Sequence, residues 1–351
     1  MRYTAKELGM NEERITTLLS RFGDTHVLVV GDYFLDRYLI VDRSLSERSL
    51  ETGLEAYQVT EVKCSPGAAG TVTSNLRALG IQVTALGVIG EDGMGFELLR
   101  GLRGNGVNVE QLIQVPDRFT PTYTKPMLQE GDGRIHEIQR IDIKNRRILP
   151  KPLEEQLIRA LHEVTPFVQG IIVADQVQER NCGVITDRVR GTLGELALAH
   201  PNKIVAADSR VRIGEFRHLV LKPNVSEAVH AIRPDIPGQE IGRALVEESG
   251  RALYQRGRKP VFLTVGAEGI LVFNAEGITH VPGVRVEGPV DIVGAGDSTM
   301  AGIVSALCCG ATYAEAALIG NLVASITIQQ IGTTGTATRE QVLERYWAAT
   351  F

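Results

Sequence analysis

Val290-Asp291-Ile292-Val293-Gly294-Ala295-Gly296-Asp297-Ser298-Thr299-Met300 reads as a glycine turn opening a helix. Met300, Ile303, Val304 and Leu307 follow at the i, i+3, i+4, i+7 spacing of one helical face. A helix start presents unpaired N–H groups and the positive end of the dipole, which together favour an anion. An acid beside such a site is electrostatically awkward unless it has work to do. The stretch therefore predicts a general base at Asp297, with Gly294, Ala295 and Gly296 stabilising charge on a transferring phosphoryl group. A plain helix cap is the competing reading, because acids are favoured in a first turn.

The rest of the chain sets bounds. It has 351 residues, 43% hydrophobic and 23% charged, with 37 glycines and a net charge of −5. That is the composition of one large globular domain with many tight turns. No basic tract points to nucleic acid or to an anionic membrane. No apolar run approaches the ~18 residues of a spanning helix; the most apolar region, 300–331, is broken by Gly302, Gly310, Glu315, Gly320 and Asn321. The N-terminal MRYTAKELGMNEERI lacks a signal-peptide core. Cys64, Cys182, Cys308 and Cys309 form no C-x-x-C pair, so free thiols in a cytoplasmic protein are expected.

Taken in order, residues 1–22 read as a helical extension docking through Leu8, Ile15, Leu18 and Leu19. His26-Val-Leu-Val-Val-Gly31 is a buried parallel strand, and Asp32 and Asp36 lie past its carboxyl end, where open α/β sheets bind ligands. Two β-rich inserts, about 38–66 and 117–142, are predicted to pair into a small lid over the crevice. The second turns at Glu130-Gly-Asp-Gly133, and Lys125 and Arg140 within it could reach an anion. Pro66-Gly67-Ala68-Ala69-Gly70-Thr71 leads into a helix over 72–79, another small-residue turn, with Thr71 and Asn75 as polar groups. A strand over 83–90 and a helix carrying Phe96, Leu99 and Leu102 follow. After Pro150 come a helical stripe (Leu153, Leu157, Leu161, Val164), strands ending at Asp175 and Asp208, and the strand 219–224. An antiparallel pair then turns at Gly266 and Gly269, ahead of a strand over 278–282. The alternation implies an α/β fold with right-handed crossovers in a single domain, 1–351.

Asn224-x-x-Glu227, Thr264-x-Gly266-x-x-Gly269 and Asp291-x-x-Gly294-Ala-Gly-Asp297, in this order, resemble the ribokinase or PfkB carbohydrate kinases over about residues 25–340. Gly31-Asp-x-x-Leu-Asp-Arg-Tyr38, Thr122-x-Thr-Lys125 and Ile328-x-x-Ile-Gly-Thr333 are similar to segments of the heptose-7-phosphate kinase branch. That branch is often fused to a nucleotidyltransferase, for which this length leaves no room. The resemblance implies a doubly wound, mostly parallel sheet flanked by helices, with a β-rich lid. It implies ATP, Mg²⁺ and transfer of the γ-phosphate to a hydroxyl of a sugar or sugar phosphate. Position by position, Asp297 matches the base and Gly294, Ala295 and Gly296 the anion hole. Asp36 matches the sugar-binding acid. Asn224 and Glu227 match the motif that organises Mg²⁺ and phosphates, largely through water. Thr264, Gly266 and Gly269 match the nucleotide-side loop, Asn321 a residue beside adenine, and Asp291 a monovalent-cation site such as that for K⁺.

The sugar-side turn departs from the family. Ala68 and Thr71 stand where a glycine and an asparagine are usual, so a methyl is added and two N–H donors are lost. Pocket hydrogen bonding sets much of substrate discrimination. A nucleoside or other small-alcohol kinase, and a catalytically silent binding protein of the same fold, therefore stay open beside the sugar kinase. Arg210 reads equally as a phosphate ligand and as a capping or surface arginine. Exposed lid edges could pair in a homodimer. No Gly-x-Gly-x-x-Gly follows the first strand, which disfavours a dinucleotide dehydrogenase.

Overall fold

The structure, a computed structural model, describes residues 9–131, 133–235, 241–332 and 334–349. Leu8 with the rest of 1–8, Asp132 of the second insert's turn, and Thr333 lie outside the described residues. The first elements are α1 (Glu12–Ser20), β1 (His26–Gly31), β2 (Tyr33–Arg48), β3 (Glu55–Ala68), α2 (Ala69–Ala78), β4 (Gln82–Gly90), α3 (Gly93–Gly104) and β5 (Asn108–Val115). β6 (Thr122–Gln129), β7 (Ile135–Glu137), β8 (Ile141–Ile143), α4 (Lys151–Val164), β9 (Gly170–Asp175), α5 (Asp187–Ala199) and β10 (Ile204–Ser209) follow. The chain closes with β11 (Val220–Leu221), α6 (Val225–Ile232), α7 (Arg243–Gly257), β12 (Val261–Thr264), β13 (Ile270–Asn274), β14 (Gly277–Val281), α8 (Ala295–Cys308), α9 (Tyr313–Thr327) and α10 (Arg339–Ala348).

Nine strands form the main sheet in the order β14-β13-β12-β11-β10-β9-β1-β4-β5. The seven from β12 to β5 are parallel, and β13 runs against β12. Side chains alternate across a strand, and β1 shows the result. Val27 and Val29 enter one core with α1, α2, α8 and α9; Leu28 and Val30 enter a second with α4, α5 and α7. Helices thus cover both faces, and the sheet is doubly wound. All four cysteines are free thiols, and among the described residues no helix is long and apolar enough to cross a membrane.

A second sheet, in the order β3-β2-β6-β7 with β8 also on β6, joins the two inserts through the parallel pair β2–β6. Its first excursion begins earlier than the alternation in 57–63 suggests. Tyr33, Phe34 and Leu35 are buried at its base, so this stretch reads as core although the chain has already left the main sheet. Phe96 is corrected from a packing residue of α3 to an exposed one; Leu98, Leu99 and Leu102 fill that face. β5 is an edge strand whose Asn108, Glu110, Gln111 and Gln114 mask its periodicity.

Candidate active site

Gly294 is the N-cap of α8 with φ +79, and no side chain caps the helix. Only glycine takes that conformation readily, and a Cβ there would meet Thr334 Cγ2 at 2.8 Å. The uncapped start exposes donors, though not quite the expected set. The N–H of Ala295 donates to Ile292 O at 3.1 Å, whereas among the described residues those of Gly294, Gly296 and Asp297 have no acceptor. Asp297 therefore does not cap α8. It stands in the first turn, partly open to solvent. Enclosure by protein and the charge of Asp208 push its carboxyl up to about 7, against the pull of Lys222 and Arg210.

Asp208 and Lys222 were not singled out from the sequence. Asp208 lies at the end of β10, and Lys222 follows β11, its N–H bonded to Ala207 O at 3.0 Å. Lys222 Nζ sits 2.9 Å from Asp208 Oδ2, and 3.4 Å from where a Cβ on Gly296 would stand. The lysine is thus a cation set against the α8 turn. The available signals were an acid closing a strand and a lysine two residues before Asn224. Glu227 joins this group: burial and Asp208 raise its carboxyl to about 7.

Asn224 and Glu227 also form a reciprocal capping box on α6, each side-chain oxygen accepting the other's backbone N–H at 2.9 Å. Their spacing thus has a structural reason besides any ligand. Thr264 donates its N–H to Pro223 O at 2.9 Å, which ties β12 to this cap. Gly266 and Gly269 make the turn between β12 and β13, with Gly269 packed on the backbone of 281–283. Asn321, buried on α9, donates to Pro282 O at 2.9 Å and Val281 O at 3.3 Å. Thr264, Gly266, Gly269 and Asn321 accordingly converge at one end of β12–β14. Asp291 accepts from Val293 N at 3.0 Å, and its own N–H donates to Ile328 O at 2.8 Å.

The opposite wall comes from the small sheet. Asp36 on β2 lies 3.5 Å from Lys125 Nζ on β6, and Lys125 also donates to Tyr38 OH at 3.1 Å. Burial raises the Asp36 carboxyl while Lys125 opposes it. A Cβ on Gly67 would collide with the Asp36 carboxylate, so glycine permits that close approach. Ala68 takes φ +54 and ψ −118, a backbone region that favours glycine. Buried Thr71 turns its methyl toward Gly294. Asp36 and Asp297 face the same crevice closely enough for the first to raise the second. Asp32 is different: three backbone N–H groups, of Gln176, Val177 and Val184, donate to its buried carboxylate at 2.8–2.9 Å and fix the loop after β9. Arg140 is paired with Asp142 at 2.9 Å, and it joins Lys125 in lowering the Asp36 carboxyl against the effect of burial.

This arrangement offers an acid ionising near neutrality, free amides at a helix start, a buried lysine and a second acid across the cleft. It can accept a proton from a hydroxyl while holding an anion nearby. Residues 24–186 and 216–339 match the sequence profile of the pfkB family carbohydrate kinase. The bifunctional protein HldE of Trichlorobacter lovleyi is 30% identical over 328 residues, 92% of this chain and 63% of that protein. HldE of Geotalea uraniireducens is 29% identical over 95% of this chain and 66% of its own length. The chain thus spans about two thirds of the length of these curated relatives. Arabidopsis thaliana ribokinase complexed with ribose and ATP shares the fold with a TM-score of 0.66 at 18% identity, over 92% of this chain and 98% of that one. Escherichia coli phosphofructokinase-2 in complex with potassium gives 0.70 at 17%, over 92% and 99%. With the profile matching most of its length, the chain belongs to the pfkB family of carbohydrate kinases.

Proposed function

We propose that the protein transfers the γ-phosphate of ATP to a hydroxyl of a sugar or sugar phosphate, of the heptose-phosphate kind. The observation that carries this reading is Asp297, poised to ionise near neutrality between the amide-lined start of α8 and Asp36. The acceptor hydroxyl loses its proton to Asp297 as its oxygen bonds to the γ-phosphorus; the bond from that phosphorus to the β-bridging oxygen breaks, and ADP leaves. The N–H groups of Gly294, Gly296 and Asp297, with the Lys222 ammonium, oppose the charge on the moving phosphoryl group. Asp36 orients the sugar. Thr264, Gly266, Gly269 and Asn321 shape the nucleotide end.

Among the described residues, no three His, Cys, Asp or Glu side chains converge as a ready metal cage. Mg²⁺ commonly takes one or two carboxylates with phosphate oxygens and waters. Glu227 and Asp208, with Asn224 orienting Glu227, suit a metal that arrives with ATP. Bound there, Mg²⁺ neutralises phosphate charge. Asp291 and its neighbouring carbonyls are the candidate K⁺ site, which activity in K⁺ against Li⁺ buffers tests. The small sheet acts as the lid, and its exposed Tyr57, Val59 and Val62 are the surface for a homodimer in the cytoplasm.

The test is ADP formation across a panel of sugars and sugar phosphates, wild type against Asp297→Asn. Equal turnover by both removes Asp297 as base. Ala68 and Thr71 favour a second reading, a nucleoside or small-alcohol kinase. Stronger thermal stabilisation by nucleosides than by sugar phosphates would select it. Nucleotide binding with no turnover of any acceptor would leave a catalytically silent homologue.

A further inference from the structure

The loop 176–184, between β9 and α5, supplies much of the lining of a cavity of roughly 160 Å³ between the small sheet and the main sheet. Val177, Gln178, Cys182 and Val184 line it, with Tyr123 of the small sheet. Tyr123 is the register partner of Asp36 across β2–β6, so the cavity adjoins the acid that orients the sugar in the reading above. Connecting loops usually run over the surface with loosely held peptide groups. This one is gripped by two buried side chains of opposite charge. Asp32 accepts from the N–H groups of Gln176, Val177 and Val184 at 2.8–2.9 Å. Arg212 donates to the carbonyls of Val177 and Gln178, the latter at 2.8 Å. Val177 is therefore held by its N–H and its carbonyl together.

Arg212 has its own support. Asp175, the last residue of β9, accepts from its guanidinium at 2.8 Å, with 7% of the arginine side chain and 1% of the aspartate exposed. Ser209, the register partner of Asp175 at the end of β10, donates its hydroxyl to the second Asp175 oxygen at 2.6 Å and accepts the Arg212 N–H at 3.0 Å. Burial and Asp175 together raise the Asp32 carboxyl to about 6, so the two acids lie close, and Arg212 neutralises one of them. Burying two charges is costly, and an apolar pair is often as stable. Here the pair is spent on loop carbonyls, which secures one conformation of the loop. We propose that Arg212 is a positioning residue, which through Asp175 and the carbonyls of Val177 and Gln178 fixes the 176–184 wall against which the acceptor is aligned. Arg212 does not itself line the cavity. Displacing a positioned reactant by about 1 Å can cost about a hundredfold in rate. The nucleotide end is tied by separate bonds, of Thr264 to Pro223 and of Asn321 to Pro282, so losing Arg212 falls on the acceptor. This rests on the kinase reading of Asp297.

The experiment uses the full chain as wild type, Arg212→Lys, the double variant Arg212→Met with Asp175→Asn, and Arg14→Lys. Lysine keeps a cation beside Asp175 but loses the fork that spans the carboxylate and two carbonyls. The double variant leaves no unpaired ion, so it serves if Arg212→Lys folds poorly. Arg14→Lys is the control: it breaks a forked pair with Glu315, at 2.8 and 2.9 Å, between α1 and α9 and away from the cavity. Urea melts give the stability loss of each. ADP formation gives the KM for ATP and kcat/KM for ribose, fructose 6-phosphate and sedoheptulose 7-phosphate; calorimetry without ATP gives Kd for the same three and for ADP. Both Arg212 variants should lower kcat/KM for the acceptor that wild type uses best by about ten- to hundredfold and weaken its binding. The KM for ATP and the Kd for ADP should stay at their wild-type values, and Arg14→Lys should change none of the four. Equal losses toward acceptor and nucleotide, an unchanged acceptor, or the same acceptor loss in Arg14→Lys overturns the positioning role. If no acceptor yields ADP while acceptor binding alone weakens in the Arg212 variants, Arg212 stands and the kinase reading falls. If the Arg212 variants turn over the acceptor as wild type does, the kinase reading stands and Arg212 falls. If none of the three acceptors binds to wild type or is turned over, the wall aligns no such acceptor and the proposal falls.

Discussion

Lys222 Nζ lies 2.9 Å from Asp208 Oδ2, with only 4% and 11% of the two side chains exposed. The parallel pairing of β10 with β11 (Ala207 beside Leu221) brings them together. Three carboxyls, Asp208, Glu227 and Asp297, share this one buried cation, and Lys222 pulls both Glu227 and Asp297 down. Removing one member of a buried pair leaves an uncompensated charge, which costs about 3–5 kcal/mol. Lys222→Met should therefore lose about that much in urea denaturation and move the acid limb of the pH–rate profile upward. Adding Asp208→Asn should restore part of the stability. A Lys222→Met protein with unchanged stability and profile would show that the pair is open to solvent.

Asp297 makes two opposite demands on pH. As a base it must be ionised, so kcat/KM should rise with pH through about 7. Its folded-state value lies above the usual carboxylate range, so the folded state binds the proton more tightly than the unfolded one. Stability is then lost as pH rises from about 4 to about 7, and the loss is complete above that. Asp297→Asn removes the ionising group. It should lower kcat by roughly 10²–10⁴-fold and raise the melting temperature more at pH 8 than at pH 5. The same gain at both pH values would mean that Asp297 titrates normally.

Glu227 separates capping from chemistry. Its side-chain oxygen accepts the Asn224 N–H at 2.9 Å, and a glutamine oxygen can do the same. Glu227→Gln should keep the α6 cap and, because the Glu227 carboxyl is also raised to about 7, should not lower the melting temperature at neutral pH. If the carboxylate organises Mg²⁺, the variant should need roughly 10–100-fold more Mg²⁺ for half-maximal rate. Unchanged Mg²⁺ dependence would reduce Asn224-x-x-Glu227 to a helix start.

Much of this was legible in the sequence because it rests on local patterns. The apolar run of β1, the glycine turn at 294 and the face of α8 are set by neighbours in the chain. What was not legible depends on strands meeting far apart in sequence. Lys222 and Asp208 look ordinary until β10 and β11 pair. Asp32 and Asp36 look alike until the loop 176–184 folds over Asp32 and leaves Asp36 facing Lys125. Arg140 and Arg210 share a cavity only because the small sheet lies over the carboxyl ends of the main strands. Ala68 was legible as an unusual residue, but not as a strained one.

That strain gives the last prediction. Ala68 ends β3 and opens α2 at φ +54 and ψ −118, where a Cβ is unfavourable by about 1–3 kcal/mol. Glycine removes the penalty but brings about 0.5–1 kcal/mol of unfolded-state entropy. Ala68→Gly should therefore be more stable by about 1 kcal/mol, and Ala68→Val should be less stable than wild type, because a β-branched residue tolerates positive φ worst. Gly67, the preceding residue, packs on Asp36, so Ala68 adjoins the sugar-side turn. If it trims that pocket, Ala68→Gly should flatten the ranking of kcat/KM across the sugar panel while leaving the pH dependence set by Asp297 in place. A glycine variant less stable than wild type would mean that the turn relaxes in solution. The alanine would then be tolerated for its backbone alone, and discrimination would have to come from Thr71.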